Sequence, residues 1–131
     1  MKTVLIIDDD EAILSIFSMV LQHHGYRVIV ATSGEAGLVL GRQDRPDLIL
    51  TDISLPGISG RTLPAQLRQI PELAATPIVL MTGDAEAVIS SEDTKSGVID
   101  ILIKPVGMDE LLRCVNTKLK PAGELEQTGS R

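Results

Sequence analysis

Chemically active side chains stand at the ends of four apolar runs in this sequence. The runs deliver carboxylates, one hydroxyl and one ammonium, carried by Asp8, Asp9, Asp52, Thr82 and Lys104. If the runs are parallel strands of one sheet, their carboxyl ends share an edge and bring these groups together. Carboxylates with a hydroxyl and an ammonium suit a divalent cation and a phosphoryl group.

The crowded carboxylates predict a magnesium site. Two or three carboxylates within a few ångströms repel one another, and one would take up a proton unless a cation lay between them. Mg²⁺ prefers octahedral oxygen coordination, with one or two carboxylates and several waters. We predict that Asp9 and Asp52 bind the ion directly, and that Asp8 binds it directly or through a water. The backbone carbonyl of Ser54 would complete the ligands from the protein.

The two acids after Asp9 have a simpler interpretation. Asp10 and Glu11 precede a run with helical spacing. Acids near a helix N-terminus are stabilised by roughly 0.3–1 kcal/mol. We therefore assign both residues to the start of that helix and leave them out of the metal site.

The same edge can support phosphoryl transfer. An aspartate can attack phosphorus and form an acyl phosphate, and the transfer otherwise needs positioning and neutralised charge. We expect Lys104 and the Thr82 hydroxyl to contact the phosphoryl oxygens that the metal ion does not. Gly83 leaves the space beside Thr82 open.

Composition argues against several other classes of protein. Aromatic residues make up only 2% of the chain and its net charge is −6, so it has few stacking platforms for nucleic acid and would repel a phosphate backbone. No apolar run approaches the ~20 residues that cross a bilayer, and we expect no signal peptide, because residues 1–3 lead directly into the first predicted strand. The single Cys114 cannot form an internal disulfide, which fits a reducing compartment. We expect a cytoplasmic protein without membrane or nucleic-acid partners.

Hydrophobic patterns predict five strands that alternate with five helices. Short runs rich in Val and Ile predict strands near 3–8, 27–31, 47–52, 77–82 and 100–104. Helical spacing predicts helices ending before Gly25, over about 35–42, after Gly60, over roughly 85–96 and over about 109–118. This strict alternation implies a parallel sheet with helices on both faces. Residues 1–120 form the predicted domain, and 121–131 are expected to be a flexible tail or linker stump.

Four motifs in this order resemble the receiver domain of two-component response regulators. They are the acidic run DDDE after the first strand, then TDISLPGISG, PIVLMTGDA and DILIKPVG, and the resemblance covers about residues 1–120. It implies a flavodoxin-like α/β fold, a doubly wound five-stranded parallel sheet with strand order 2-1-3-4-5 and five helices on both faces.

The resemblance also implies roles at the site. Asp52 would be the phosphoacceptor, Thr82 the switch hydroxyl and Lys104 the ammonium, with a cis peptide bond before Pro105. The acidic pair after the first strand would bind Mg²⁺. The donor would be a phosphohistidine on a sensor kinase or phosphotransfer protein, and the chain's own chemistry would be limited to self-catalysed phosphorylation and dephosphorylation. Family members often dimerise through the last two strands and helices, so the resemblance also allows a homodimer.

Two departures from the family pattern concern the conformational change that phosphorylation causes in receivers. Receivers commonly carry Tyr or Phe three residues before the lysine, but this chain has Ile101, so the usual rotation of an aromatic ring cannot operate. Ser59 stands before Gly60, where an acid is frequent. In these respects, and in its MTG run, the chain is similar to receivers attached to hybrid sensor kinases.

Three other functions fit the sequence less well. A magnesium-dependent phosphohydrolase also uses an aspartyl phosphate, but it usually needs a second acid where this chain has Ser54. A nucleotide- or flavin-binding protein needs a glycine-rich phosphate loop, whereas the loop after the first strand is acidic. A degenerate receiver that acts only as an interaction module would have lost site residues, and all five are present.

Overall fold

The computed structural model describes residues 1–58 and 61–119. The tail or linker predicted for 121–131 and the departure at 59–60 lie outside the described residues. The strands are β1 (Thr3–Ile7), β2 (Arg27–Ala31), β3 (Leu48–Asp52), β4 (Ile78–Thr82) and β5 (Val98–Ile103). The helices are α1 (Glu11–His23), α2 (Gly34–Asp44), α3 (Leu63–Arg68), α4 (Ser91–Lys95) and α5 (Met108–Leu119), with a short 3-10 turn at Pro71–Leu73. None of the described helices is long and apolar enough to cross a bilayer.

The strands form one parallel sheet in the order β2-β1-β3-β4-β5, which confirms the predicted topology. All residues of β1, β3 and β4 are buried, as expected for strands covered on both faces. Successive side chains of a strand point to opposite faces, so Val4 and Ile6 join the core beneath α1 and α5. Leu5 and Ile7 join the second core, beneath α2 and α3.

Polar side chains cap the N-termini of α1 and α2 close to the carboxyl edge of the sheet. The Asp10 carboxylate accepts hydrogen bonds from the amides of Ala12 and Ile13, at 3.0 and 3.3 Å. The Ser33 hydroxyl caps α2 by accepting from the Ala36 amide at 3.1 Å. Asp10 therefore acts as a helix cap, which confirms its predicted place at the start of this helix.

The fourth helix is much shorter than predicted. The sequence pattern suggested a helix over roughly 85–96, but α4 covers only Ser91–Lys95. The segment before it does not bury an apolar stripe, since Val88 is 71% exposed and Ile89 is 36% exposed. The helix begins instead at a capping box in which Ser90 and Asp93 exchange hydrogen bonds of 2.9 and 3.0 Å. Polar capping therefore sets its start, and the prediction of a longer helix was wrong.

Cys114 lies buried on α5 within the core beneath α1 and α5. Burial raises the pKa of its thiol to about 11, although the nearby Lys118 ammonium lowers it. The thiol is therefore almost wholly un-ionised at neutral pH, and reactive cysteines need the thiolate. Cys114 is therefore a packing residue of this core.

Candidate functional site

Four neighbouring strands bring the predicted site residues to one edge of the sheet. Asp8 directly follows β1, Asp52 ends β3, Thr82 ends β4 and Lys104 directly follows β5. Asp9 lies on the loop between β1 and α1. The strand order reverses between β1 and β3, where an open α/β sheet forms its ligand crevice. The sheet topology thus delivers the predicted groups to the predicted place.

Three carboxylates form the cluster that the sequence predicted. One carboxylate oxygen from each of Asp8, Asp9 and Asp52 lies within 4.8 Å of the other two. Asp8 and Asp52 are buried, whereas Asp9 is exposed to solvent. Buried acids with an open side provide hard oxygen donors and leave room for the waters that Mg²⁺ retains. This donor set therefore fits a magnesium ion.

Lys104 lies between two of these acids. Its Nζ donates one hydrogen bond to Asp8 Oδ2 and another to Asp52 Oδ2, each of 2.9 Å. Burial lowers the pKa of Lys104, but the hydrogen bonds and charges of Asp52 and Asp8 together outweigh burial and raise it above its ordinary value. The lysine therefore stays an ammonium and supplies counter-charge within the cluster. The sequence analysis placed Lys104 at this edge but assigned the counter-charge to a metal ion alone.

Asp8 is the most constrained acid of the cluster. Burial raises the pKa of its carboxyl, while the Asp10 amide and the Lys104 ammonium partly offset this rise. The Asp10 amide donates to Asp8 Oδ1 at 2.9 Å. The nearby Asp52 carboxylate raises the pKa of Asp8 further. Where no metal ion is bound, ionisation of Asp8 therefore lowers the free energy of unfolding.

This electrostatic cost can be measured in magnesium-free buffer. A carboxyl whose folded pKa lies above its unfolded value makes the free energy of unfolding fall as pH rises from the unfolded pKa through the folded one. We expect Asp8→Asn to remove this fall and to raise the free energy of unfolding at neutral pH, because the buried charge is lost while Lys104 keeps Asp52 as its partner. The asparagine oxygen can still accept from the Asp10 amide. Urea unfolding across a series of pH values measures both effects.

A more exposed acid provides the control for this measurement. Asp44 pairs with Arg27 at 3.3 Å on the outside of the molecule. Asp44→Asn should leave the pH profile of unfolding close to that of the wild type. Destabilisation of the Asp8→Asn variant at neutral pH, with an unchanged pH profile, would contradict the assignment of this cost to Asp8.

The side chains of Thr82 and Asp52 each accept a hydrogen bond from the loop that follows their strand. Thr82 Oγ1 accepts a hydrogen bond from the Asp84 amide at 3.1 Å. The Ser54 amide donates to Asp52 Oδ1 at 3.1 Å, which holds the start of the loop after β3. Sequence analysis did not identify the Asp84 amide as a partner of Thr82, although a threonine hydroxyl often accepts from the amide two residues later.

The region around Lys104 also agrees with the resemblance. The peptide bond between Lys104 and Pro105 is cis, as implied. The Lys104 amide donates to the Thr82 carbonyl at 2.7 Å, so the two functional residues belong to adjacent, hydrogen-bonded chains. Ile101 is partly buried and packs against the core beneath α2 and α3. An aliphatic side chain therefore occupies the position where the family commonly has a ring.

Comparison with known proteins decides the family. The family model of the response regulator receiver domain matches residues 4–116. The chain belongs to this family. It is 33% identical to protein PilH of Pseudomonas aeruginosa over 91% of this chain and 98% of PilH. The receiver is also similar in structure to the chemotaxis response regulator CheY4 of Vibrio cholerae, with a TM-score of 0.84, 28% identity and coverage of 91% and 99% of the two chains.

Longer relatives contain a similar receiver as one part. The transcriptional regulatory protein AfsQ1 of Streptomyces coelicolor is 39% identical over 99% of this chain, which spans 56% of the length of AfsQ1. Receivers are phosphoacceptor domains of two-component signalling, and this chain is such a receiver. Receiver domains bind Mg²⁺ at an acidic aspartate cluster, and this receiver brings three aspartates together at the corresponding edge.

Proposed function

We propose that this receiver accepts a phosphoryl group on Asp52 from a phosphohistidine of a sensor kinase or phosphotransfer protein, and thereby switches a partner-binding face. The position of Asp52 carries the proposal. On one side Asp52 shares the carboxylate cluster with Asp8 and Asp9. On its other side, β3 pairs with β4, the strand that ends in Thr82. Asp52 is thus the acid that adjoins both a metal-binding cluster and a hydroxyl donor.

Four groups of this receiver would hold Mg²⁺ in the proposed reaction. They are the carboxylates of Asp8, Asp9 and Asp52 and the backbone carbonyl of Ser54. The clustering of three oxygen donors within 4.8 Å supports this assignment. When bound, the ion supplies positive charge that neutralises oxygens of the transferred phosphoryl group.

The side chains perform the transfer itself. An Asp52 carboxylate oxygen forms the new bond to phosphorus while the bond from phosphorus to the donor imidazole nitrogen breaks. The imidazole nitrogen keeps the electron pair and takes up a proton from solvent. Lys104 already donates to Asp52 and would contact a phosphoryl oxygen, and the Thr82 hydroxyl would donate to another. Attack of water on the acyl phosphate then releases inorganic phosphate and restores the Asp52 carboxylate. The chemistry proposed for this receiver is limited to phosphorylation and dephosphorylation of Asp52.

A small acyl phosphate tests this function against its alternatives. With Mg²⁺ present, the intact protein should gain the mass of one phosphoryl group, and hydroxylamine should remove it. An aryl phosphate ester should not be turned over. Many phosphates released from the ester per protein would favour a phosphohydrolase. Absence of any labelling would favour a receiver that serves only as an interaction module.

Several expectations stay predictions. We expect a cytoplasmic location, one receiver domain over 1–120 and a tail or linker over 121–131. A homodimer through the last two strands and helices is also still to be tested.

A further inference from the structure

Helix α4 is held in place by charged side chains rather than by apolar packing. Its sequence, Ser91–Lys95, reads SEDTK and contains no apolar residue. Of these residues, all of which the structure describes, Asp93 alone is buried. A helix of a single turn has little stability of its own and depends on tertiary contacts. The polar contacts of Asp93 therefore matter for where this helix lies.

Asp93 pairs with an arginine from another part of the chain. Arg61 Nη1 donates to Asp93 Oδ2 at 2.9 Å, and the Asp93 side chain is only 6% exposed while that of Arg61 is 40% exposed. The same oxygen accepts from the Ser90 amide at 2.9 Å. A carboxylate buried to this degree needs its counter-charge, so loss of the arginine leaves an uncompensated charge.

The two partners stand at the ends of segments that both begin at the proposed phosphorylation site. Arg61 follows the loop that leaves Asp52, and α4 follows the segment that leaves Thr82. The second segment begins with the hydrogen bond from the Asp84 amide to Thr82 Oγ1. Arg61 Nη2 also approaches the Val88 carbonyl, at 3.5 Å, within that segment. Arg61 thus links the chain after β3 both to α4 and to the segment between Thr82 and α4.

A second arginine holds the other end of the helix. Arg68 Nε donates to the Ser96 carbonyl at 3.0 Å, and Arg68 Nη2 donates to the Thr76 carbonyl at 2.6 Å. This side chain therefore ties the residue after α4 to the loop before β4. Arg68 thus holds the C-terminal end of α4 independently of the ion pair between Arg61 and Asp93.

We propose that the ion pair of Arg61 and Asp93 is a latch that holds α4 in the unphosphorylated receiver and opens on phosphorylation. This inference rests on the proposed function. A phosphoryl group on Asp52 draws the Thr82 hydroxyl to itself, and the Asp84 amide then loses its acceptor. Movement of the following segment separates the ion pair and releases the N-terminal half of α4. The latch gives this receiver a route of coupling that does not need an aromatic ring at Ile101.

Hydrogen exchange read by mass spectrometry, with and without phosphorylation by a small acyl phosphate, tests the latch. In the unphosphorylated protein, Arg61→Ala should raise the exchange rate of the α4 amides several-fold. Asp93→Asn should act in the same direction, because an asparagine oxygen can still accept from the Ser90 amide but cannot form the ion pair. Arg61→Lys, which keeps the charge, should restore most of the protection. Arg27→Ala breaks the ion pair with Asp44 at the other edge of the sheet and serves as the control.

The dependence on phosphorylation separates a latch from an ordinary structural ion pair. The latch predicts that Arg61→Ala raises exchange only in the unphosphorylated state, so the difference between the two states shrinks. Equal increases in both states, or no increase in either, would overturn the latch. The mass of the intact protein shows separately whether it has failed to gain a phosphoryl group. That result would reject the proposed function and the latch with it.

Discussion

The variant Asp52→Asn is expected to lose phosphoryl incorporation from a small acyl phosphate, down to the limit of detection, with Mg²⁺ present. An amide is a poor nucleophile and cannot form an acyl phosphate, whereas the carboxylate can. The substitution keeps the size of the side chain and an oxygen that can accept from the Ser54 amide. The loop after β3 should therefore stay in place, and the loss should reflect chemistry. Intact-protein mass spectrometry over a time course measures the result.

Two controls make this result specific. Asp44→Asn removes an acid outside the site and should be labelled at the wild-type rate. Urea unfolding of the Asp52→Asn variant should show a cooperative transition, which excludes misfolding as the cause. Labelling of this variant at an unchanged rate would reject Asp52 as the acceptor.

Removal of Mg²⁺ is expected to have the second large effect. Chelation should stop labelling of the wild type, because three acids and an incoming phosphoryl group then lie beside the ammonium of Lys104 without the charge of a metal ion. Asp9→Asn should weaken magnesium affinity by at least about tenfold. Asp9 is exposed, so its replacement should leave the core intact. Calorimetric titration with Mg²⁺, and the dependence of the labelling rate on its concentration, measure the effect.

The neighbouring acid is a matched control for the metal site. Asp10 caps α1, and asparagine is an equally good helix cap. Asp10→Asn should therefore keep wild-type magnesium affinity. Equal weakening by Asp9→Asn and Asp10→Asn would indicate a general effect of negative charge and would contradict a specific role for Asp9.

The pH dependence of magnesium binding follows from the state of Asp8. Metal ligands must be deprotonated, so magnesium affinity falls as the acids take up protons. Because burial raises the pKa of Asp8, this fall should begin at a higher pH than for an ordinary carboxyl. In Asp8→Asn the remaining affinity should lose that part of its pH dependence.

The fold was predictable because its main signals are local and repeated. The buried runs of β1, β3 and β4 are continuous in the sequence, and each places its chemical residue at or just after the strand end. Once the strands are parallel, Asp8, Asp52 and Thr82 must meet at one edge, whatever the details of the helices. The order of the strands came from the resemblance, since hydrophobic periodicity does not specify which strands are neighbours.

The features that sequence analysis missed depend on distant pairs. Lys104 is 96 residues from Asp8 and 52 residues from Asp52, so its place between the acids required the packed structure. Arg61 and Asp93 are 32 residues apart, and neither belongs to a hydrophobic pattern. The length of α4 was overestimated because the whole segment between β4 and β5 has the length of a helix, although its apolar residues are few and Val88 is largely exposed. Polar contacts between separate elements leave little trace in local sequence.

Chemical mapping of the phosphorylated residue tests the central claim most directly. Borohydride reduces an aspartyl phosphate to homoserine, and peptide sequencing by mass spectrometry then identifies the modified position. After treatment with a small acyl phosphate and Mg²⁺, we expect homoserine at position 52, and none when Mg²⁺ is chelated. Homoserine at position 8 or 9, or equal conversion with and without Mg²⁺, would contradict the account.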